Sequence, residues 1–367
     1  MVENVNEITN PNVIQFPKLG WEFEVDPTAF TIPGTEIGIS WYGLIITFGL
    51  LLAIVLCFSK IKKFGINPDR AIDVVIVGVV GGIIGARAYY VIMKWEEYAW
   101  DWKAIFNIRS GGLAIYGGLI GAILLGFIAC KVRKVRILPM LDVAVMGFLL
   151  GQGIGRWGNF VNQEAFGTNT DSIFGMTGGT IQETLIRESA YLDGEIYLNG
   201  IDVSIYDPVH PCFLYESVWC LLGFVLLFFF VQKRRKYDGQ MFLMYLTWYG
   251  AERFVIEGLR TDSLMIGELR VSQVLSAILV IVSVVLQIII HSKRKRDPEK
   301  FVLYCTTKES AELMQNEREE KNETNAEEPA QAYESIIADE SAPEDDASDN
   351  ADEINENTKD NTSEEEN

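Results

Sequence analysis

The chain has 367 residues, of which 49% are hydrophobic and 22% charged, and its formal net charge is −19. Its mean hydropathy of +0.15 is too high for an ordinary soluble chain that also carries a long polar tail. The acidity is local: residues 309–367 hold 22 Asp/Glu against 3 Lys/Arg, which accounts for the whole net charge.

With only two histidines, His210 and His291, a His-rich metal centre is excluded by count. The five cysteines, Cys57, Cys130, Cys212, Cys220 and Cys305, form no CxxC pair and read as small apolar fillers.

In chain order, residues 1–38 form a polar arm with no basic start leading into an apolar run, so no cleavable signal peptide is expected. Seven apolar segments follow, at 39–58, 73–94, 113–130, 137–155, 212–231, 240–257 and 271–290. Each is long enough, or nearly so, to cross a hydrocarbon core of ~30 Å at ~1.5 Å per residue. Four basic clusters, "KIKKFG" (60–65), "KVRKVR" (131–136), "KRRK" (233–236) and "SKRKR" (292–296), alternate with connections poorer in positive charge. The positive-inside rule puts those clusters in the cytoplasm, the N-terminus outside and the C-terminus inside. The expected fold is therefore an all-α polytopic membrane protein with seven transmembrane helices over residues 39–290.

Residues 156–211 are expected to form a small extracytoplasmic head, with "EIYLNGIDVSIY" as a β-hairpin about its Asn-Gly pair. The Trp- and Tyr-rich stretch 94–112 suits a segment lying at lipid headgroups. Residues 291–308 read as a basic juxtamembrane segment, and 309–367 as a disordered acidic cytoplasmic tail that buries too little apolar surface to offset its ordering entropy.

Charged side chains inside a bilayer are costly, so each marks a candidate site. Arg87 lies roughly 21 Å from the basic end of its span, and Arg253 roughly 20 Å, while Arg156 sits at the far boundary of its own. Tyr42, Tyr116 and His210 stand near the same outer level. On one helical stripe lie Tyr249, Arg253, Glu257 and Arg260, where Arg253 and Glu257 can pair. That pair either locks the helix to its neighbours or holds a guanidinium for a ligand. Arg156 lies among glycines and amides in "GQGIGRWGNFVNQEAFG" (151–167). It either snorkels to headgroups or grips a phosphate with parallel hydrogen bonds. The glycines of "GGLAIYGGLIG" (111–121) serve either helix packing or a cavity into which Tyr116 projects. His210, ahead of Pro211, is either a helix cap or a titratable group beside a phosphate site.

"GRWGNFVNQEAFG" (155–167) resembles the signature of the bacterial prolipoprotein diacylglyceryl transferases. The resemblance extends, in order and spacing, to "SWYGL" (40–44), "GARAYYV" (85–91), "GGLAIYGGLIG" (111–121), "HPCFLYES" (210–217) and "AERFVIEGLRTDS" (251–263), covering about residues 38–290. It implies transfer of the diacylglyceryl group of phosphatidylglycerol to the lipobox cysteine of a prolipoprotein, with a thioether formed and glycerol phosphate released. It further implies a multi-pass protein of the bacterial cytoplasmic membrane, in which Arg156 binds the phosphatidylglycerol and Arg253 and Glu257 serve the reaction centre. Asn159, Asn162, Glu164, Arg87 and Arg260 are further candidates for binding substrate. Arg253, Glu257, Tyr116, Tyr42 and His210 are the catalytic candidates. Where the family often has a histidine ahead of GGLIG, this chain has Tyr116.

The chemistry asks for two things. A free thiol with a pKa of about 8.5 is mostly protonated at neutral pH, so its proton must be taken or shared. Charge developing on the leaving phosphate must also be stabilised, which preorganised arginines in a poorly hydrated site do well. No cofactor, metal or nucleic acid is expected, because the lipid carries its own leaving group. The rivals are a lipid transporter or flippase, whose binding groups would sit near the midplane between repeats, and a non-catalytic lipid-binding scaffold.

Overall fold

The computed structural model describes residues 10–316 and 319, apart from 36, 109–110, 189, 193–194, 199–200, 262–264 and 267–268; the side chains of 189–201 are also outside the description. Most of the acidic tail expected over 309–367 thus lies outside the described residues.

The arm begins with β1 (Val13–Phe16), β2 (Trp21–Glu24), β3 (Thr28–Thr31) and β4 (Gly38–Ser40). The helices are α1 (Trp41–Ile61), α2 (Pro68–Met93), the short α3 (Trp95–Tyr98) and α4 (Trp102–Phe106), α5 (Ile115–Val132) and α6 (Ile137–Asn162). After the strand β5 (Thr177–Gly178) and α7 (Gly179–Glu188), β6 (Ala190–Leu192), β7 (Glu195–Leu198) and β8 (Ile201–Asp202) form an antiparallel sheet. The chain then returns through α8 (Cys212–Val225, wound on through Leu226–Val231), α9 (Gln240–Leu259), the strand pair β9 (Met265–Ile266) and β10 (Leu269–Arg270), and α10 (Val271–Arg296). Asn199 and Gly200, the expected hairpin turn, are outside the described residues.

Among the described residues six helices, α1, α2, α5, α6, α8 with its extension, and α10, are long and apolar enough to cross a membrane. The fold is that of a mostly helical polytopic membrane protein. The remaining expected span, 240–257, is occupied by α9, which at 20 residues is long enough to cross but carries Glu252, Arg253 and Glu257 in its second half. Those charges take it out of the apolar set.

Close packing has a visible cause in the sequence. Gly81 and Gly85 of α2 face Gly117 and Gly121 of α5, and a Cβ on Gly85 would stand 2.8 Å from the Gly121 Cα. Without side chains the two backbones approach directly, the small-residue packing available where lipid removes any hydrophobic drive between helices. Of the glycines of 111–121, Gly117, Gly118 and Gly121 therefore serve packing, while Gly111 and Gly112 take positive φ ahead of the helix. Among the candidate spans the most enclosed is α6, which buries Val145, Met146 and Leu149 completely between α1, α8 and α9. α10 is the most exposed of the candidate spans.

The basic connections gather at one end. Arg235 donates to Lys63 O at 3.0 Å, and the wholly buried Asp142 caps α9 by accepting from Gly239 N (2.8 Å) and Phe242 N (2.9 Å). Packing also continues past residue 308, where the tail was expected to begin. Tyr304 N donates to Asp238 Oδ2 at 2.8 Å, Arg136 pairs with Glu309, and the buried Ser310 donates to Gly65 O at 3.0 Å. Burial holds the Asp238 carboxyl above its usual range.

At the opposite end β1 pairs with both β2 and β5, and Ile14 and Phe16 pack with Met176, Ile181, Leu185 and Phe213. The arm is thus part of the head rather than a free leader into it. Trp100, Trp102 and Phe106, in and beside α4, are strongly exposed.

Candidate active site

Around Glu216 three helices bring their charges together. This residue, one turn into α8, is buried with its side chain 1% exposed. Such a carboxylate is costly unless it is paired, and here each oxygen has a guanidinium. Arg156 of α6 forms an ion pair with Oε2 through its Nε, and Arg253 of α9 donates from Nη1 to Oε1 at 2.8 Å. Arg253 Nη2 then lies 2.7 Å from Glu257 Oε2, one helical turn along. The Arg253–Glu257 pair expected from spacing is present, but its register across helices is set by Glu216. The spacing of the two arginines is therefore held by one carboxylate. Both keep an open face: their side chains are 22% and 19% exposed, and among the described residues Arg156 Nη2 has no partner.

Adjacent contacts fix α6 against α8. Ser217 Oγ donates to Gly153 O at 2.7 Å and Trp157 Nε1 donates to Ser217 Oγ at 3.1 Å. α6 does not stop at Arg156 but runs on to Asn162, so Asn159 lies about one turn above the arginine. Arg156 Nη1 donates to Asn159 Oδ1 at 3.4 Å, and Asn159 Nδ2 donates to Glu164 Oε1 at 2.8 Å. Asn162 donates to the same oxygen at 3.4 Å. Glu164 is turned back onto the helix because Gln163 and Ala165 adopt φ of 51° and 56°, left-handed values that non-glycine residues seldom take. The buried Gln163 holds that turn by donating to Pro11 O in the arm.

Tyr42 joins this group. Its ring lies on Gly158, where a Cβ would come within 2.6 Å of Cδ2, and within electrostatic reach of Arg156 and Glu164. His210 stands nearby in the chain path: its backbone exchanges hydrogen bonds with Gly167 and Thr168, and its Nδ1 lies 3.3 Å from Tyr215 OH. Burial lowers its pKa below the ordinary histidine value. Arg260 falls just past the end of α9 in extended conformation, so it leaves the helical stripe expected of it, and its backbone bridges Gly167.

Two expected residues take other places. Arg87 is buried, but its guanidinium donates to the backbone oxygens of Ala104 (2.6 Å), Ile105 (2.8 Å), Gly112 (2.9 Å) and Gly111 (3.0 Å). It pins the 104–112 segment to α2 and does not reach the Glu216 network. Tyr116, at the start of α5, is 46% exposed and makes no hydrogen bond among the described residues.

Sequence reasoning passed over Glu216 and Glu252. Both are carboxyls inside segments expected to cross the membrane, and the rule that intramembrane charges mark sites would have singled them out. Glu252 is 6% exposed, its Oε1 has no partner among the described residues, and it lies within electrostatic reach of Glu216, Arg156 and Arg253. Gln152 Oε1 is likewise without a partner, while its Nε2 donates to Tyr245 OH at 3.2 Å. An apolar groove of about 370 Å³, lined by Leu44, Phe48, Ile154, Trp157 and Leu221 among others, runs beside the Arg156 segment of α6.

This arrangement lies within the part of the chain that matches known proteins. Residues 27–289 match the family described as prolipoprotein diacylglyceryl transferase. The chain belongs to that family. A phosphatidylglycerol–prolipoprotein diacylglyceryl transferase of Clostridioides difficile (strain 630) is 40% identical over 273 residues, 74% of this chain and 98% of the relative. A protein of the same description from Finegoldia magna is 41% identical over 264 residues (72% and 95%), and one from Bacillus cereus (strain Q1) is 42% identical over 262 (71% and 91%). The diacylglyceryl transferase match leaves the segment beyond residue 289, including the packed stretch around Tyr304, outside it.

Proposed function

We propose that this chain transfers the diacylglyceryl group of phosphatidylglycerol to the lipobox cysteine thiol of prolipoproteins, in the bacterial cytoplasmic membrane. The cysteine sulfur attacks the glyceryl carbon that carries the phosphate. A C–S bond forms, the C–O bond breaks, and its electron pair leaves on the oxygen of glycerol phosphate. The thiol proton passes to a group at the site, for which Tyr42 beside Arg156 is the best-situated candidate. What singles out Tyr42 is position: its ring packs on Gly158, next to Asn159 in the chain and beside Arg156.

The observation that carries this reading is the bridge of Arg156 and Arg253 through Glu216. It preorganises two guanidinium groups from separate helices, each still partly open, as a leaving phosphate requires. Glu257 steadies Arg253 from the side. Asn159, Asn162 and Glu164 shape the rim beyond Arg156, the unpartnered oxygens of Gln152 and Glu252 suit hydroxyl donors of the headgroup, and the groove along Leu44 and Phe48 suits an acyl chain. Arg260 takes part through the Gly167 contact that closes the rim.

In the proposed topology seven helices span the bilayer, α9 included. Its charges are matched by Glu216 and Arg156 rather than by lipid. The gathered basic connections face the cytoplasm, and the head with its β6–β8 sheet faces outward.

The test is direct. Purified protein is incubated with phosphatidylglycerol and a lipobox peptide, and the peptide mass is read. A gain of one diacylglyceryl group on the cysteine is expected. Lipid movement between leaflets without that gain would favour a flippase, and neither would favour a scaffold.

A further inference from the structure

A second cavity, of about 330 Å³, opens between the start of α9 and the last turns of α10, lined by Lys236, Gln240, Gln287, His291, Ser292 and Arg294 among others. Arg253 lies 13 residues along α9 from Gln240, roughly 20 Å away, so this is not the Glu216 site.

Some of the cations at this end are paired and others are not. At the same end, Arg133 pairs with Asp73, Arg136 with Glu309 and Arg235 with Asp238. Lys236 and Arg294 form no ion pair among the described residues, although both line the cavity. The α9 N-terminus is already capped by Asp142, so the positive character of the cavity comes from side chains. Gln240 Oε1 accepts from Lys236 N at 2.7 Å, and Gln287 Nε2 donates to Thr247 Oγ1 at 3.0 Å, which ties the two walls to α9. One rim is apolar. Ile288 lines the cavity and is 60% exposed, and Val285 and Ile281 continue the same helical face at 46% and 63%.

We propose that this cavity binds the phosphate of an anionic phospholipid of the cytoplasmic leaflet, with an acyl chain lying along Ile288, Val285 and Ile281. Two uncompensated cations at the base of an apolar strip match a headgroup of net negative charge whose tails enter the bilayer beside it. A zwitterionic headgroup brings its own cation and gains less. The site rests on reading the helices as membrane-spanning, and not on the transfer reaction.

Native mass spectrometry of the full chain in detergent, titrated with dioleoylphosphatidylglycerol, tests it. Lys236→Gln with Arg294→Gln is expected to weaken one binding event at least tenfold. Lys293→Gln with Lys295→Gln removes equal charge from exposed positions outside the cavity and is expected to leave that event unchanged. Arg156→Ala is expected to affect a different event, so failure of the transferase reading leaves this arm standing. Dioleoylphosphatidylcholine should bind weakly here, and millimolar inorganic phosphate should not displace the lipid. Equal weakening in the two double variants, equal binding of phosphatidylcholine, or displacement by phosphate alone would each overturn the proposal.

Discussion

Arg253 Nη1 stands 2.8 Å from Glu216 Oε1 across the α8–α9 interface, while Arg156 reaches the other oxygen from α6. Removing the shared carboxylate leaves two partly buried cations without their common partner. Glu216→Ala is expected to cost about 3–5 kcal/mol of stability, the usual range for breaking a buried pair. Arg156→Ala and Arg253→Ala should each lower transfer by about 10²–10³-fold, the range for losing a preorganised charge donor. Thermal unfolding and the lipobox-peptide assay, run side by side, read both effects. Near-normal transfer by a well-folded Arg156→Ala protein would remove the basis of the proposed role.

The two outer tyrosines should separate. Tyr42 packs on Gly158 beside Arg156, whereas Tyr116 is half exposed and outside the network. Tyr42→Phe is expected to reduce kcat by at least tenfold, and Tyr116→Phe to leave it within about twofold, since general-base contributions run to about 10²–10⁴. The reverse order would shift the proton-accepting role to the start of α5.

Arg87 is expected to matter for folding rather than for lipid affinity. Its four backbone hydrogen bonds hold the 104–112 segment, and a hydrogen bond from a charged donor contributes about 1.5–3 kcal/mol. Arg87→Met should therefore lower thermal stability markedly, while KM for phosphatidylglycerol, measured at a temperature where the variant stays folded, remains close to wild type. A selective rise in KM would place Arg87 on the lipid instead.

The α2–α5 contact depends on absent side chains. Gly85→Leu puts a branched group where even a Cβ stands 2.8 Å from Gly121 Cα. Overpacking of this kind costs about 1–3 kcal/mol, and more where backbone must move. A lower unfolding temperature is expected for Gly85→Leu, with a smaller loss for Gly82→Leu, whose Cβ meets nothing closer than 3.5 Å.

Burial depresses the His210 pKa, so the unfolded chain binds a proton there more readily than the folded one. Its contribution is therefore neutral well above the unfolded value of about 6.5. It turns destabilising as pH falls below that value towards the folded one. Thermal stability measured from pH 8 to pH 5 should decline less in His210→Gln than in wild type. Parallel declines would show that other groups govern the acid limb.

Much of this molecule could be read along the chain. Runs of apolar residues located the helices, because a lipid-facing segment must be apolar over its whole length, and the basic connections gathered at one end as their alternation implied. The Arg253–Glu257 pair was legible because both residues share one helix and a spacing of four brings them together. Local period also had limits: Arg260 left the stripe when α9 ended, and a charge count that sees only composition sets α9 apart from the apolar spans.

The tertiary structure decided which charges meet. Depth placed Arg87, Arg156 and Arg253 at one level, but depth does not give rotation about a helix axis. That rotation turned Arg87 towards backbone carbonyls and the other two towards Glu216. A carboxylate that bridges residues 156 and 253 has no local periodicity to betray it; its role is a contact between three helices, fixed by the glycines and Ser217 that set how α6 and α8 approach.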